Sequence, residues 1–120
     1  MNQVAFDSNI PIYLQIMQKI KQSIVAGELK PGERIPSVRD LSTVFGVNPN
    51  TMQRALTELE REGLLYSERT SGRFVTEHTE VIQTMQKTYA EELIQKFLNQ
   101  MYSLGYTKKQ VAKIIMEVKQ

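Results

Sequence analysis

A chain of 120 residues, 41% hydrophobic and 23% charged, has the composition of a globular protein, with room for one ordinary domain or a small domain and an appendage. No apolar run approaches the roughly 20 residues a membrane span needs, and the lack of cysteine excludes disulfides, thiolate metal sites and thiol catalysis. The net charge of +2 is too small to name a partner, and residues 27–76 carry seven basic and seven acidic side chains, so any partner must be argued from where the charges sit.

The N-terminal stretch MNQVAFDSNIPIYLQ has neither a basic start nor an apolar run, which sets the expectation of a cytoplasmic protein. Pro11 stands where a helix can begin without losing a hydrogen bond. Ile12, Tyr13, Ile16, Ile20 and Ile24 then recur at helical spacing up to Gly27, which predicts an amphipathic helix over 12–26. The next segment, GELKPGERIPS, has two glycines and two prolines and cannot be helical, although Leu29 and Ile35 read as buried.

Ser37 with Asp40 resembles a capping box, and Val38, Leu41, Val44 and Phe45 give a short helix ending at Gly46. After the turn, Asn48 is an N-cap candidate with Pro49 at the first helical position. Met52, Ala55, Leu56 and Leu59 form the buried stripe of a helix running to about Glu62. Leu65–Glu68 and Arg73–Thr76 then alternate around Thr70-Ser71-Gly72 as a hairpin. Helix, short helix, turn, helix, hairpin is the order of a winged helix-turn-helix, a mainly α fold with a small β wing.

The tail differs. Ile82, Met85, Tyr89, Leu93, Phe97 and Met101 form a long stripe ending at Leu104-Gly105, and Thr107 with Gln110 restarts a helix whose apolar face is Val111, Ile114, Ile115 and Val118. A helical hairpin of about 40 residues is below the size that usually folds alone, so it must dock, most economically on a second copy of itself. The expected division is a winged helix over 1–77 and a dimerisation region over 78–120. Met85, Tyr89, Leu93, Phe97, Met101, Ile114 and Ile115 are the candidate dimer contacts.

At about 100° per residue, Asn50, Arg54, Thr57 and Arg61 project opposite the buried stripe of the third helix, with Thr51 and Gln53 on its flanks. Amides, hydroxyls and guanidinium groups are what pair with base edges. The acids Glu58, Glu60 and Glu62 all lie in the second half of that helix, away from an inserted N-terminal half. Arg39 on the preceding helix is a candidate phosphate clamp, and Arg69 and Arg73 flank the hairpin tip. A polar helix face and a charged hairpin tip also occur on ordinary surfaces, and the compact layout around them is what favours nucleic acid.

Nothing comparable supports catalysis or a cofactor. His78 is the single histidine, without a partner set for a metal or a triad; Ser37 and Ser71 lack a nearby base, and no phosphate-binding glycine loop is present. The tail cannot enclose a drug-sized pocket within one subunit. Tyr89, Phe97, Tyr102 and Tyr106 are candidates to line a small-molecule effector site, although aromatics at helical spacing more often form a core or a dimer interface.

The motif Gly27-x-Leu29-x-Pro31-Gly32-x-x-Ile35-Pro36-Ser37-x-Arg39-x-Leu41 resembles the N-terminal signature of gluconate-repressor (GntR) type regulators. It continues in register with Gly46-Val47-Asn48-x-x-Thr51, Ala55-Leu56, Leu59, Glu62-Gly63 and Gly72-x-Phe74-Val75. Val47 to Thr51 and Arg54-Ala55 resemble the YtrA-like branch, whose C-terminal part is a short helix pair. The resemblance implies DNA contacts at Arg39, at Asn48, Asn50, Thr51 and Gln53, and on the wing at Ser71, Gly72 and Arg73; the helical projection adds Arg54. It implies a homodimeric repressor on a pseudo-palindromic double-stranded operator, in the YtrA-like branch often beside ABC transporter genes. Pro49 stands where many members carry arginine, and Thr70 replaces the first glycine of the usual Gly-x-Gly wing tip, so operator and wing geometry should differ. The alternative is a winged helix that recruits proteins, which the balanced charge of residues 27–76 would suit.

Overall fold

Three stripes of apolar side chains, one on each of the first three helices, meet to form the core of the computed structural model, which describes residues 5–120. The first four residues, part of the stretch read as lacking a leader pattern, lie outside the described residues. Helix α1 is Ile12–Val25, α2 is Val38–Phe45 and α3 is Pro49–Arg61; strands β1 (Leu65–Glu68) and β2 (Gly72–Val75) follow, then α4 (Thr79–Ser103) and α5 (Lys108–Glu117). The chain divides into two compact units, one ending at Gln83 and the other Thr84–Gln120.

In the first unit Ile16, Ile20 and Ile24 of α1, Leu41 and Phe45 of α2, and Met52, Ala55, Leu56 and Leu59 of α3 are almost fully buried. Each large side chain removed from water contributes roughly 1.5–3 kcal/mol, so this three-helix seam dominates the stability of the unit. Leu64, Leu65 and Val75 extend the core under the hairpin, and Leu29 and Ile35 close it from the linking segment, as their sequence positions suggested. The buried hydroxyls of Ser23 and Ser42 donate to the carbonyls of Lys19 and Val38 one turn back, and that of Thr76 accepts from His78 N–H. Among the described residues no buried side-chain polar atom is left without a partner.

The caps explain the helix limits. Ser37 Oγ accepts from Asp40 N at 3.1 Å and Asn48 Oδ1 from Asn50 N at 2.7 Å, each taking up an otherwise orphaned donor at a helix start. Gly46 ends α2 at φ +68°, a left-handed conformation that glycine adopts without the Cβ clash, and this turns the chain into α3 within a few residues. Ala26 and Glu62 are caps rather than helical residues, a one-residue trim of both expected helices.

The second strand of the hairpin starts one residue earlier than expected, at Gly72 rather than Arg73, because the register pairs Glu68 with Gly72 and Leu65 with Val75. Thr76 lies past the strand, its N–H bonded to the Leu64 carbonyl at 2.9 Å. The Pro- and Gly-rich linker also forms a further edge of the sheet: Gly32 N donates to Val75 O, Val75 N to Glu33 O and Ile35 N to Arg73 O, all at 2.9 Å, with Arg34 bridged to Phe74.

In the second unit, Thr107 and Gln110 form a full capping box at the start of α5, with both reciprocal bonds present. Val111 is the one buried apolar side chain there among the described residues, against fifteen in the first unit. Met85, Tyr89, Met101 and Ile114 are half-buried, whereas Leu93, Phe97 and Ile115 face outward. Ile94, Leu104, Met116 and Val118 are exposed as well.

Candidate nucleic-acid interface

The α2 stripe packs on α3 and leaves the opposite face of α3 outward. Asn50, Gln53, Arg54 and Thr57 are exposed on it, while Thr51 is half-buried at its edge. Asn48 is also exposed, but its carboxamide oxygen is committed to the helix cap. Gln53 Nε2 lies 3.5 Å from Thr57 Oγ1, one turn along the same face. Arg39 stands exposed in the first turn of α2.

The acids of α3 and of its C-cap are each answered by a cation. Glu58 pairs with Arg61 at 3.2 Å, Glu60 with Arg73 at 2.6 Å and Glu62 with Lys21 of α1 at 2.7 Å. The N-terminal half of α3 carries no acid at all. Among the described residues Arg34, Arg39, Arg54 and Arg69 form no ion pair with an acid, so they remain as cations that a phosphate or a base edge can engage. In a segment with equal numbers of acids and bases, the exposed leading half of α3 thereby carries Arg54 and no acid.

Arg73 is not the free tip cation that its sequence position suggested. Its Nε donates to Glu60 Oε1, and the side chain is only 19% exposed, because β2 turns it back over α3. Ser67 Oγ donates to the same carboxylate oxygen, so Glu60 ties both strands of the wing to α3. Burial raises the Glu60 carboxyl, but the hydrogen bonds from Ser67 and Arg73 and the Arg73 charge outweigh it and hold the group below its ordinary value of 4.5. A carboxylate lowered on folding stabilises the fold above its unfolded pKa, and that contribution is lost as pH falls through the folded value. Glu60→Gln should therefore melt below wild type at neutral pH, with the gap closing as pH falls from about 4.5 through the lowered value. A gap that persists at low pH would assign the loss to packing instead of charge.

Tyr66 and Phe74 stack across the hairpin, ring centroids 5.5 Å apart, and stiffen the wing. Ser71 and Gly72 lie exposed at its tip. Gly72 has φ +111°, and a Cβ there would meet Arg34 Nε at 3.0 Å. Gly72→Ala is thus expected to strain the turn by on the order of 1 kcal/mol and displace Arg34. The check is a lowered melting temperature together with weaker DNA binding; an unchanged melt would show that the wing absorbs the methyl group.

Arg34 is the basic residue that sequence reasoning missed. Ile35 read as buried, and in its extended pairing with β2 a period of two leaves the neighbouring Arg34 exposed. The same segment with Ser37, Val38 and the wing residues Gly72 and Arg73 borders a cleft of about 210 Å³ between α2 and the hairpin. Tyr13, read as part of the α1 stripe, is half-buried and carries Arg54 on its ring, Cζ 3.8 Å from the centroid. The aromatic effector candidates are not gathered by burial: Phe97, Tyr102 and Tyr106 are exposed and Tyr89 is half-buried. A shallow groove of about 440 Å³ lies elsewhere, lined by Glu60, Gly63, Leu65, Tyr66, Thr76, Glu77 and His78.

A helix-turn-helix with an exposed, acid-free leading half of its second helix, flanked by a hairpin, defines a winged-helix DNA-binding regulator. The family model described as bacterial regulatory proteins of the gntR family matches residues 12–75, and the chain belongs to that family. It is 40% identical over 106 residues, 88% of each chain, to the uncharacterized HTH-type transcriptional regulator YhcF of Bacillus subtilis. It is 38% identical over 98 residues to the HTH-type transcriptional repressor YtrA of the same organism, covering 80% of this chain and 75% of YtrA. A GntR family transcriptional regulator from Listeria monocytogenes superposes with a TM-score of 0.84 at 36% identity, over 95% of this chain and all of that one. The DNA-binding domain of AraR, solved in complex with its operator ORX1, matches 63% of this chain and 93% of its own at a TM-score of 0.55 and 32% identity. These relatives are transcriptional regulators, not enzymes. No helix among the described residues is long and apolar enough to cross a membrane.

Proposed function

We propose that the protein is a homodimeric transcriptional repressor acting on a pseudo-palindromic operator. Asn50, Gln53 and Arg54 read bases in the major groove from the leading half of α3. Arg39, Arg34 and Arg69 hold phosphates, with Ser71 and Gly72 bringing the wing tip to the backbone. Asn48 and Thr51 set the start of α3 against the DNA, and Arg73 serves the wing by anchoring it to Glu60. The observation that carries this reading is the pairing of every acid on α3, beside which Arg54 and the neighbouring Arg39 stand exposed without an acid partner.

Dimerisation is assigned to the second unit. Its helices bury a single apolar side chain internally, while Leu93 is 67% exposed, Leu104 71% and Met116 85%. Apolar surface of that extent on so short a unit favours a covering partner, and a second copy supplies one with matching chemistry. Leu93, Phe97 and Ile115 are the central contacts, with Met85, Tyr89, Met101 and Ile114 behind them. An ABC transporter operon is the target class that the YtrA-like resemblance suggests. A small-molecule effector would have to favour one arrangement of the two half-site readers over another.

Selection from a pool of randomised double-stranded DNA tests the proposal. A two-fold symmetric pair of half-sites is expected, with a centre-to-centre spacing near one helical turn or a multiple of it. A single asymmetric site would contradict the dimer, and no enrichment would favour the protein-recruiting reading that the balanced charge suits.

A further inference from the structure

We propose that Tyr13 is a positioning residue for base reading, its ring holding the Arg54 guanidinium ready on the outward face of α3. The proposal rests on the reading of Arg54 as a base contact. At 3.8 Å from ring centroid to Cζ, the guanidinium lies within the range of a cation–π stack. The platform is stiff for two reasons. Tyr13 is half-buried near the start of α1, and α1 packs along α3, with Ile16, Ile20 and Ile24 in the shared core. The Lys21–Glu62 ion pair lies eight residues further along both helices, so a second contact fixes the same alignment.

The geometry of a guanidinium makes such a stack productive. Stacking uses the flat face of the group, while its five N–H donors lie in the plane and point outward from the edge. A face-stacked Arg54 therefore keeps the fork that pairs with O6 and N7 of guanine. A long side chain already held in one orientation loses less freedom on binding. Among the described residues no acid pairs with Arg54, so no ion pair has to break when DNA arrives. The stack requires the ring of Tyr13 and not its hydroxyl, which separates this role from a direct phosphate contact by the hydroxyl.

The test is a double-mutant cycle read as discrimination rather than as affinity. The probes are the oligonucleotide that wild type enriches from a randomised pool and its single-base variants. Arg54→Ala identifies the base pair at which preference is lost. Tyr13→Leu is expected to lower the preference at that same base pair by about 2- to 10-fold, with preferences elsewhere retained. Tyr13→Phe should keep it, and Tyr13→Leu added to Arg54→Ala should change it no further. Thermal melts of each variant run alongside, and a preference ratio stays meaningful when total affinity falls.

Uniform weakening by Tyr13→Leu on every sequence would overturn the proposal and place Tyr13 in the fold or on the backbone. A rise in preference would also overturn it, showing that the ring parks Arg54 away from the base. Should Arg54→Ala leave every base preference intact, the base-reading role of Arg54 fails, and the Tyr13 proposal falls with it. Loss in Arg54→Ala with no change in Tyr13→Leu would sink the positioning role alone.

Discussion

Leu93→Asp and Phe97→Asp are each expected to turn the dimer into monomers and to weaken binding to a two-fold site by about 10²–10⁴-fold. Leu93 is 67% and Phe97 40% exposed, so neither substitution removes a side chain from the core of its own subunit. In a dimer the same positions would be covered, and a carboxylate buried there without a partner carries a large desolvation cost. The loss on DNA follows from linkage: two tethered half-site readers bind with an effective concentration that a lone monomer lacks. Sedimentation velocity reads the oligomeric state and anisotropy on the selected site reads the affinity. An unchanged dimer would move the interface away from α4, toward Leu104, Met116 and Val118 or onto the first unit. A monomer that binds as tightly as wild type would contradict the two-fold operator.

Raising salt from 50 to 200 mM is expected to cost about 10³–10⁵ in affinity for the operator, the range for six to ten phosphate contacts. Arg34, Arg39 and Arg69 from each of two protomers supply about six such contacts, at the low end of that range. The surface carries little net charge, so the dependence must come from local cations released from counterions on binding. Arg39→Ala should reduce the slope of log affinity against log salt by about one to two units, because the dimer presents the residue twice. Affinity that barely moves with salt would support a protein partner in place of DNA.

The parts of the fold that local chemistry determines were legible beforehand. Asn48 and Pro49 announce the start of α3, Gly46 the turn before it, and the stripe Met52, Ala55, Leu56 and Leu59 the face it buries, and all of these stand in the structure. The capping box at Thr107 and Gln110 was equally plain, since two residues three positions apart supply all of its atoms. What escaped notice depends on distant partners. Arg73 alternates like a wing residue, and only its approach to Glu60, thirteen residues earlier in the chain, turns it from a tip cation into an anchor. The pairing of residues 32–35 with β2 was hidden by Pro31 and Pro36, which leave too short a run to show alternation. Tyr13 looked like one more stripe residue, because periodicity assigns a face and says nothing of an arginine arriving from another helix. In the tail, periodicity located an apolar face ending at Leu104 but not how much of it stays uncovered, and Ile94 and Met116 emerged only from burial.

The leading half of α3, with Arg39 beside it, is assigned as a sequence-specific DNA surface. Footprinting of the protein on its selected site, with excess non-specific DNA present, compares wild type with Arg39→Ala and Arg54→Ala. Protection of two symmetric half-sites by wild type, lost in both variants at the same concentration while their melts stay unchanged, is the expected result. Equal protection by all three proteins, or none by wild type, would contradict the assignment of this surface to DNA.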